Sequence, residues 1–393
     1  MKIFTYGFLS FLFLTSFLFI GCGSDNLVKK GEDALANADY EAAAKYFKKA
    51  TKKNPSAIPL FYNLGSAAMR AGDKTEAIAA FREVLRFIPG DSSAMESLAA
   101  VLRDEGSIDN LKESHELLSQ VVALADISPF EKSRALTSLA LTDMAFHRSD
   151  LALAHLLTAM AITPNYAPAV YNLAKLYADE LKQYPLANTT MLKFQAMDSS
   201  DSSMLEKAND FITANKTAVA AAAQKPYVLS NEANTLLSNA INEYNKKNYQ
   251  KSVDLFNKTL EIAPRSYEAA FGKANALYCM NKMHDSLNAY ALAADIDTTK
   301  LEAVSMLAHV NYSLGNTKEA IRILTTIAIP KWPTDANSIR IATYAFAKEN
   351  RYYEAVVYGD LLIATLKNAQ LPTNDFETWL NSIKKSMITT FRP

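Results

Sequence analysis

Residues 58–91 read IPLFYNLGSAAMRAGDKTEAIAAFREVLRFIPGD. Phe61, Leu64 and Phe81 recur at the spacing that lines one face of a helix. Gly72-Asp73 closes a first helix and turns into a second. Pro89 ends the second, because proline lacks the N–H donor and clashes in an interior turn. Gly65 and Ala77 are small where two antiparallel helices must cross, and a larger side chain there would cost about 1–3 kcal/mol. The stretch is a pair of antiparallel helices.

The pair recurs. Gly31 and Gly65, Ala43 and Ala77, Phe47 and Phe81, Ala50 and Val84, and Pro55 and Pro89 all keep one step of 34 residues. Ser252, Ser286 and Ala320 keep it again, as do Phe256, Tyr290 and Leu324. A fixed period of this length marks a stack of supersecondary units, each burying its apolar face on the next. The period and the Phe61-Tyr62-Asn63-Leu64-Gly65 … Gly72-Asp73 … Ala77 … Phe81 … Pro89 pattern resemble the tetratricopeptide repeat. That resemblance implies an all-α solenoid of antiparallel helix pairs wound as a right-handed superhelix.

Nine units follow in this frame. The first runs 24–57, the second 58–91 and the third 92–127, which needs three extra residues around Asn110. The fourth runs 133–166, and the fifth opens at Tyr171-Asn172-Leu173-Ala174 and degrades around Pro185. Residues 199–229 break the register: serines 199, 200, 202 and 203 read as a loop with N-cap candidates, and Met204–Gln224 as one alanine-rich helix. Further units start near 233, 267, 301 and 336. The expected domains are therefore a first array over 22–198, a linker or hinge helix over 199–229, a second array over 230–364, and a capping helix over 365–393.

The N-terminus is a different kind of sequence. Lys2, an apolar run from Ile3 to Ile20 and the boundary Gly21-Cys22-Gly23-Ser24 make a signal segment over 1–21. The run would also just span a bilayer as an uncleaved anchor. Phe19-Ile20-Gly21-Cys22 resembles a bacterial lipobox, with Phe19 where leucine is usual. The resemblance implies lipidation of Cys22, which would start the mature chain and tether it to the membrane. Gly23 and Ser24 follow in place of the aspartate that retains enteric lipoproteins in the inner membrane, which points to an outer membrane and a periplasm-facing protein.

Composition removes several function classes. Lys plus Arg and Asp plus Glu are each 41 in 393 residues, a balance that offers no electrostatic footprint for nucleic acid. With 49% hydrophobic and 21% charged residues the chain is a folded one, and 11 glycines leave little room for the turns of an all-β protein. Two cysteines build no disulfide framework, and with Cys22 lipidated the remaining Cys279 is expected to be a buried packing residue. There is no glycine-rich phosphate loop and no Gly-x-Ser-x-Gly. His115, His147, His155, His284 and His309 include no i, i+4 pair for a helical metal site. Asp104-Glu105 and Asp179-Glu180 read as solvated faces. The expectation is no enzyme, no cofactor and no metal.

In the family the sequence resembles, the first helices line a concave face through their second, fifth, sixth, ninth, twelfth and thirteenth positions. Carried onto this chain, the first array offers Tyr62, Asn63, Met69, Arg70, Glu96, Arg103, Asp104, Tyr171, Asn172, Lys175 and Asp179. The second offers Asn234, Tyr244, Asn245, Phe271, Asn275, Tyr278, Cys279, His309, Tyr312, Asn337, Arg340 and Tyr344. Asn63 and Asn172 stand where some members hold a peptide main chain with a donor and an acceptor on one amide. The tyrosines suit a protein partner, since they give large contact area at little entropic cost. Some would instead pack on a neighbouring unit, and a tyrosine and asparagine face would also suit sugar rings. The sequence thus implies a membrane-anchored scaffold for protein or peptide partners, with a cell-surface carbohydrate-binding module as the alternative. In plan it is similar to lipoproteins that assist outer-membrane or pilus assembly.

Overall fold

A computed structural model describes residues 25–197, 202–221 and 227–390. The signal segment, Cys22, the serines at 199 and 200, and Pro226 lie outside the described residues. The described chain is helical throughout, with no strand among the described residues. The described residues form two compact units divided between Asn172 and Leu173, a boundary inside a helix rather than in the 199–229 segment.

Unit 1 stacks α1 (Asp25–Ala36) with α2 (Tyr40–Lys53), α3 (Ile58–Ala71) with α4 (Lys74–Phe87), α5 (Ser92–Glu105) with α6 (Ile108–Val122), and α7 (Pro129–Ala145) with α8 (Ser149–Ile162). It ends in the first part of α9 (Ala167–Asp179). The remainder of α9 opens unit 2. There follow α10 (Tyr184–Gln195) on α11 (Ser202–Ala221), α12 (Asn231–Asn245) on α13 (Tyr249–Ile262), and α14 (Tyr267–Cys279) on α15 (Met283–Ile296). After α16 (Leu301–Ser313), the second helix of its pair is broken into α17 (Thr317–Ile323), a π-helical turn Leu324–Ala328, and α18 (Ile329–Lys331). The pair α19 (Ala336–Lys348) and α20 (Tyr352–Asn368) and a terminal α21 (Asn374–Thr390) complete the unit.

Local chemistry sets these boundaries. Asp39 and Asp73 cap α2 and α4 by accepting the N–H of Ala42 and of Glu76, and Asp91 caps α5 through Ala94. Among the described residues ten turns between consecutive helices hold one residue in the left-handed conformation: Ala38, Gly72, Gly106, His147, Lys182 between α9 and α10, Lys247, Asn281, Gly315, Asn350, and Gln370 between α20 and α21. Gly72, at φ 83°, adopts it freely; an L side chain such as Lys247, at φ 64°, does so against steric strain.

Two departures from the period have physical reasons. First-helix caps step from Ser266 to Lys300 by 34 and then to Asp335 by 35. The π turn at Leu324–Ala328 absorbs that extra residue, as π turns do within helices. In addition, α7 starts at Pro129 behind a Ser128–Glu131 capping box, four residues before the start expected at 133.

The core alternates small and aromatic residues. An added Cβ at Gly31 or Gly65 would lie 2.7 or 2.8 Å from the ring of Phe47 or Phe81, and one at Gly272 only 2.3 Å from that of Phe256. All three phenylalanines are buried. Within unit 2, the Tyr177 hydroxyl donates to the Pro330 carbonyl at 2.8 Å, which satisfies an acceptor that the end of α18 would otherwise leave open. Leu380 of α21 packs over Gly359 of α20, so the tail seals the last pair.

Candidate functional site

Unit 1 carries a groove pocket of about 170 Å³ on the side of its first helices. Met69 comes from α3, Glu96, Arg103 and Asp104 from α5, Arg134 and Ser138 from α7, and Tyr166 and Asn172 from the start of α9 and the loop before it. Glu96 is only 2% exposed, and its carboxylate takes Arg134 Nε at 2.8 Å and Nη2 at 2.9 Å. Burial raises the Glu96 pKa against the opposing pull of Arg134, while the hydrogen bond to Glu96 raises that of Arg134. The bidentate geometry is that of a charge-assisted pair. Such a pair positions groups more than it stabilises the fold, but losing one partner strands a buried charge at about 3–5 kcal/mol.

Arg103 is 9% exposed and donates from Nη1 to the Ser138 carbonyl at 3.3 Å. Burial pulls its pKa down to about 10, which leaves it a full cation at neutral pH. Lys74 and Asp104 meet at 3.2 Å at the rim, where solvent screens the pair. Tyr166, pushed up to about 12 by burial, leans edge-on against Phe130 at 5.4 Å. The Asn172 amide donates to the Pro168 carbonyl of its own helix at 2.8 Å.

A second polar cluster lies between α6, α7 and α8. Asp143 is fully buried, with His155 Nδ1 at 2.8 Å, Arg148 Nη2 at 3.0 Å and His115 Nε2 at 3.5 Å. Burial is the main cause that pulls the His115 pKa down to about 4. Among the described residues no group of histidine, cysteine and carboxylates is arranged to hold a metal ion.

Unit 2 presents a line of half-buried aromatic and polar side chains along its first helices. The Tyr244 hydroxyl lies 3.6 Å from Cys279 Sγ, and its ring meets Tyr249 edge-on at 5.5 Å. Burial first, then Cys279, pushes Tyr244 up to about 12. Tyr278 reaches His309 Nε2 at 3.2 Å, and Lys348 sits over the Tyr312 ring at 4.9 Å. The Tyr244–Cys279, Tyr278–His309 and Tyr312–Lys348 contacts each join one helix pair to the next. Phe271 stacks on Tyr267 at 5.5 Å, and Asn275 accepts a 2.6 Å hydrogen bond from Tyr290. Tyr344, half-buried, meets Trp379 at 4.7 Å and Phe376 at 6.1 Å edge-on, both from α21.

Of the residues singled out in the sequence, Met69, Glu96, Arg103, Asp104 and Asn172 come together in the unit 1 pocket. Others turn to neighbours: Tyr62 bonds Asp91, and Arg70 lies over the Tyr40 ring at 5.4 Å. Asn63 and Tyr171 are half-buried, and Asn234 is exposed, its amide 3.4 Å from the Leu229 carbonyl. Cys279 corrects an expectation. It is exposed rather than buried, because it falls in the last turn of α14 on the side facing Tyr244. The sequence reading missed Arg134 because no concave residue was drawn from the fourth unit, although a start at 133 gives Arg134 the second position. Counted from Pro129, Arg134 is at the sixth position, and the Ser128-Pro129-Phe130-Glu131 cap was the available signal.

Comparison with known proteins places this geometry. The tetratricopeptide repeat family matches residues 28–92, so that stretch carries such repeats. A tetratricopeptide repeat and J domain-containing co-chaperone of Cryptococcus neoformans var. grubii is 30% identical over 111 residues, 28% of this chain. The match spans about a fifth (21%) of that relative's length. Among solved structures, a thermophilic tetratricopeptide repeat protein of Thermus thermophilus is similar at 17% identity, covering 49% of this chain and 100% of that one with a TM-score of 0.40. PilW, described as a widely conserved type IV pilus biogenesis factor, is similar at 17% identity over 64% of this chain and 98% of its own, with a TM-score of 0.38.

Proposed function

We propose that this protein is a lipid-anchored, non-catalytic scaffold of a bacterial cell envelope that holds protein partners on the first-helix faces of its repeat units. Acylated Cys22 fixes the chain to the membrane, and the outer membrane is the proposed site, with the repeats facing the periplasm. No helix among the described residues is long and apolar enough to cross a membrane, so in this reading attachment rests on the N-terminal segment. The observation that carries the reading is the line Tyr244, Tyr278, His309 and Tyr312, which continues across α12, α14 and α16. Half-buried tyrosines with tethered hydroxyls are pre-ordered, so a partner loses little side-chain entropy there. A glycan platform would need open ring faces, whereas Tyr344 meets Trp379 at 4.7 Å and Tyr278 is engaged by His309, which favours the protein partner.

Two measurements test it. Metabolic labelling with an alkyne fatty acid should mark the full chain and not a Cys22→Ser variant; an unlabelled parent refutes the anchor. Affinity capture from solubilised envelopes should retain a protein on the parent and lose it on a Tyr244, Tyr278 and Tyr312→Ala variant of unchanged helicity. Absence of any retained protein refutes the scaffold.

A further inference from the structure

The charges of the first helix pair are sorted to its two ends. Lys29 and Lys30 lie in the first half of α1, and Lys45, Lys48, Lys49, Lys52 and Lys53 in α2, all of them exposed. The two helices are antiparallel, and the approach of Gly31 to the Phe47 ring fixes their register. Before Gly31 and after Phe47 the chains run together, so Lys29, Lys30, Lys49, Lys52 and Lys53 gather at one end. Against these five lysines that end holds one acidic residue, Asp25, whereas Glu32, Asp33, Asp39 and Glu41 gather at the other end around the turn. One repeat on, the equivalents of Lys48, Lys49 and Lys52 are Arg82, Glu83 and Arg86, and they are paired: Arg82 with Glu113 at 2.8 Å, and Arg86 with Glu83 at 2.9 Å. In the first pair Lys48 meets Glu76, but among the described residues no carboxylate lies within ion-pair distance of Lys29, Lys30, Lys49 or Lys52.

Folding does not explain this concentration. Packing of the pair rests on Ala43, Phe47 and Ala50, all buried on the opposite face of α2. The helix dipole favours Lys52 and Lys53 in the last turn of α2, but Lys29 and Lys30 stand in the half of α1 where it favours anions. Position explains it better. Cys22, the proposed acylation site, is three residues before Asp25, and three residues span at most about 10 Å. The basic end can therefore reach the headgroups, while the acidic end lies about 18 Å further along the 12-residue α1. Each lysine close to an anionic lipid surface strengthens attachment by about fivefold, and a single acyl chain is a weak anchor without such a second contact. Lysine ammonium groups suit lipid phosphates because they are compact charges that need no fixed fork geometry.

We propose that the lysine end of α1 and α2 docks on anionic lipid headgroups in the leaflet that carries the anchor, and so holds the first helix pair against the membrane. The proposal rests on the reading of Cys22 as the anchor, because the anchor is what keeps this end, and no other, beside a bilayer. An acidic protein offers the same charge, and the test separates the two.

The test uses the full chain reconstituted into vesicles of phosphatidylcholine alone and of an equimolar mixture with phosphatidylglycerol. Lysine acetylation rates are read residue by residue by mass spectrometry. On the mixed vesicles Lys29, Lys30, Lys49 and Lys52 should react about fivefold or more slowly than on phosphatidylcholine, and the slowing should fade as salt is raised. The exposed Lys258 and Lys318 should react equally on both. A variant with Lys29, Lys30, Lys49 and Lys52→Gln, of unchanged helicity, should lose the slowing at Lys53. Equal rates on the two vesicles, slowing shared by Lys258 and Lys318, or slowing at Lys53 retained in the variant would each overturn the proposal. Slowing by added polyglutamate on phosphatidylcholine, with none from phosphatidylglycerol, overturns the lipid in favour of an acidic protein. The mass of the N-terminal peptide from the same sample shows whether Cys22 is acylated. An unmodified Cys22 refutes the anchor, while the contrast between vesicles still decides the lysine end, so the two can fail separately.

Discussion

Replacing Gly272 by alanine tests the packing that aligns unit 2. The new methyl would sit 2.3 Å from Phe256 Cζ and 2.6 and 2.9 Å from its two Cε atoms, about 1 Å inside ordinary contact. Phe256 is 1% exposed, so the ring has no free space to enter and α13 and α14 must separate. Overpacking costs about 1–3 kcal/mol, and a 2.3 Å approach onto a ring with no free space belongs to the upper part of that range, about 2–3 kcal/mol. Against it, alanine gains about 1 kcal/mol over glycine in helix propensity. The clash wins, with a net loss of about 1–2 kcal/mol, and because repeat stability is local the loss should concentrate in α13 and α14. Hydrogen exchange read by mass spectrometry on peptides within Tyr249–Cys279 should accelerate about five- to thirtyfold. Gly90→Ala is the internal control, because no atom lies within 4 Å of its added methyl. Adding Phe256→Leu to Gly272→Ala should cost less than the two single changes summed. Unchanged or slower exchange in Gly272→Ala, or strict additivity of the pair, would refute the argument.

Three further outcomes follow from the same geometry. Because burial depresses His115 to about 4 from 6.5, unit 1 should keep full stability above pH 6.5 and lose up to about 3 kcal/mol as pH falls towards 4. His115→Gln should flatten that limb in urea titrations at several pH values, with Asp143, Arg148 and His155 left in place; an unchanged slope contradicts the assignment. Lys247→Gly should relieve the left-handed strain between α12 and α13 and raise stability by up to about 1 kcal/mol, read from the denaturation midpoint. Trp379→Ala should expose Tyr344 and speed exchange in α19 and α21 while leaving α12 and α13 unaffected; uniform acceleration would contradict a local cap.

The sequence carried the fold because each helix pair is specified locally. Asp73 caps, Gly72 turns, Phe81 fills and Pro89 stops within one 34-residue window, so the pattern is readable without tertiary knowledge. Where an insertion shifts the frame, the reading slipped: the segment before Ser128 displaced the start of the fourth unit by four residues, and no concave residue, Arg134 among them, was drawn from that unit. The extra residue before Ala336 was absorbed as a π turn, which no local residue preference announces. The candidate pocket was half legible for the same reason. Glu96 and Arg103 share a helix and were found together, but their partners emerge only when α7 brings Arg134 to Glu96 and the Ser138 carbonyl to Arg103. Tyr62 and Arg70 were correctly placed on their helix, yet which neighbour each would meet depends on a ring or carboxylate about 30 residues away.

The most direct test of the scaffold account is site-specific photo-crosslinking in the native envelope. A benzoylphenylalanine at Tyr278 or Tyr312 lies on the first-helix face of unit 2, whereas one at Lys258 lies on the exposed side of a second helix. The account predicts a discrete protein adduct from positions 278 and 312 and none from 258. Adducts only from 258, or none from any position in cells that make the protein, would contradict it.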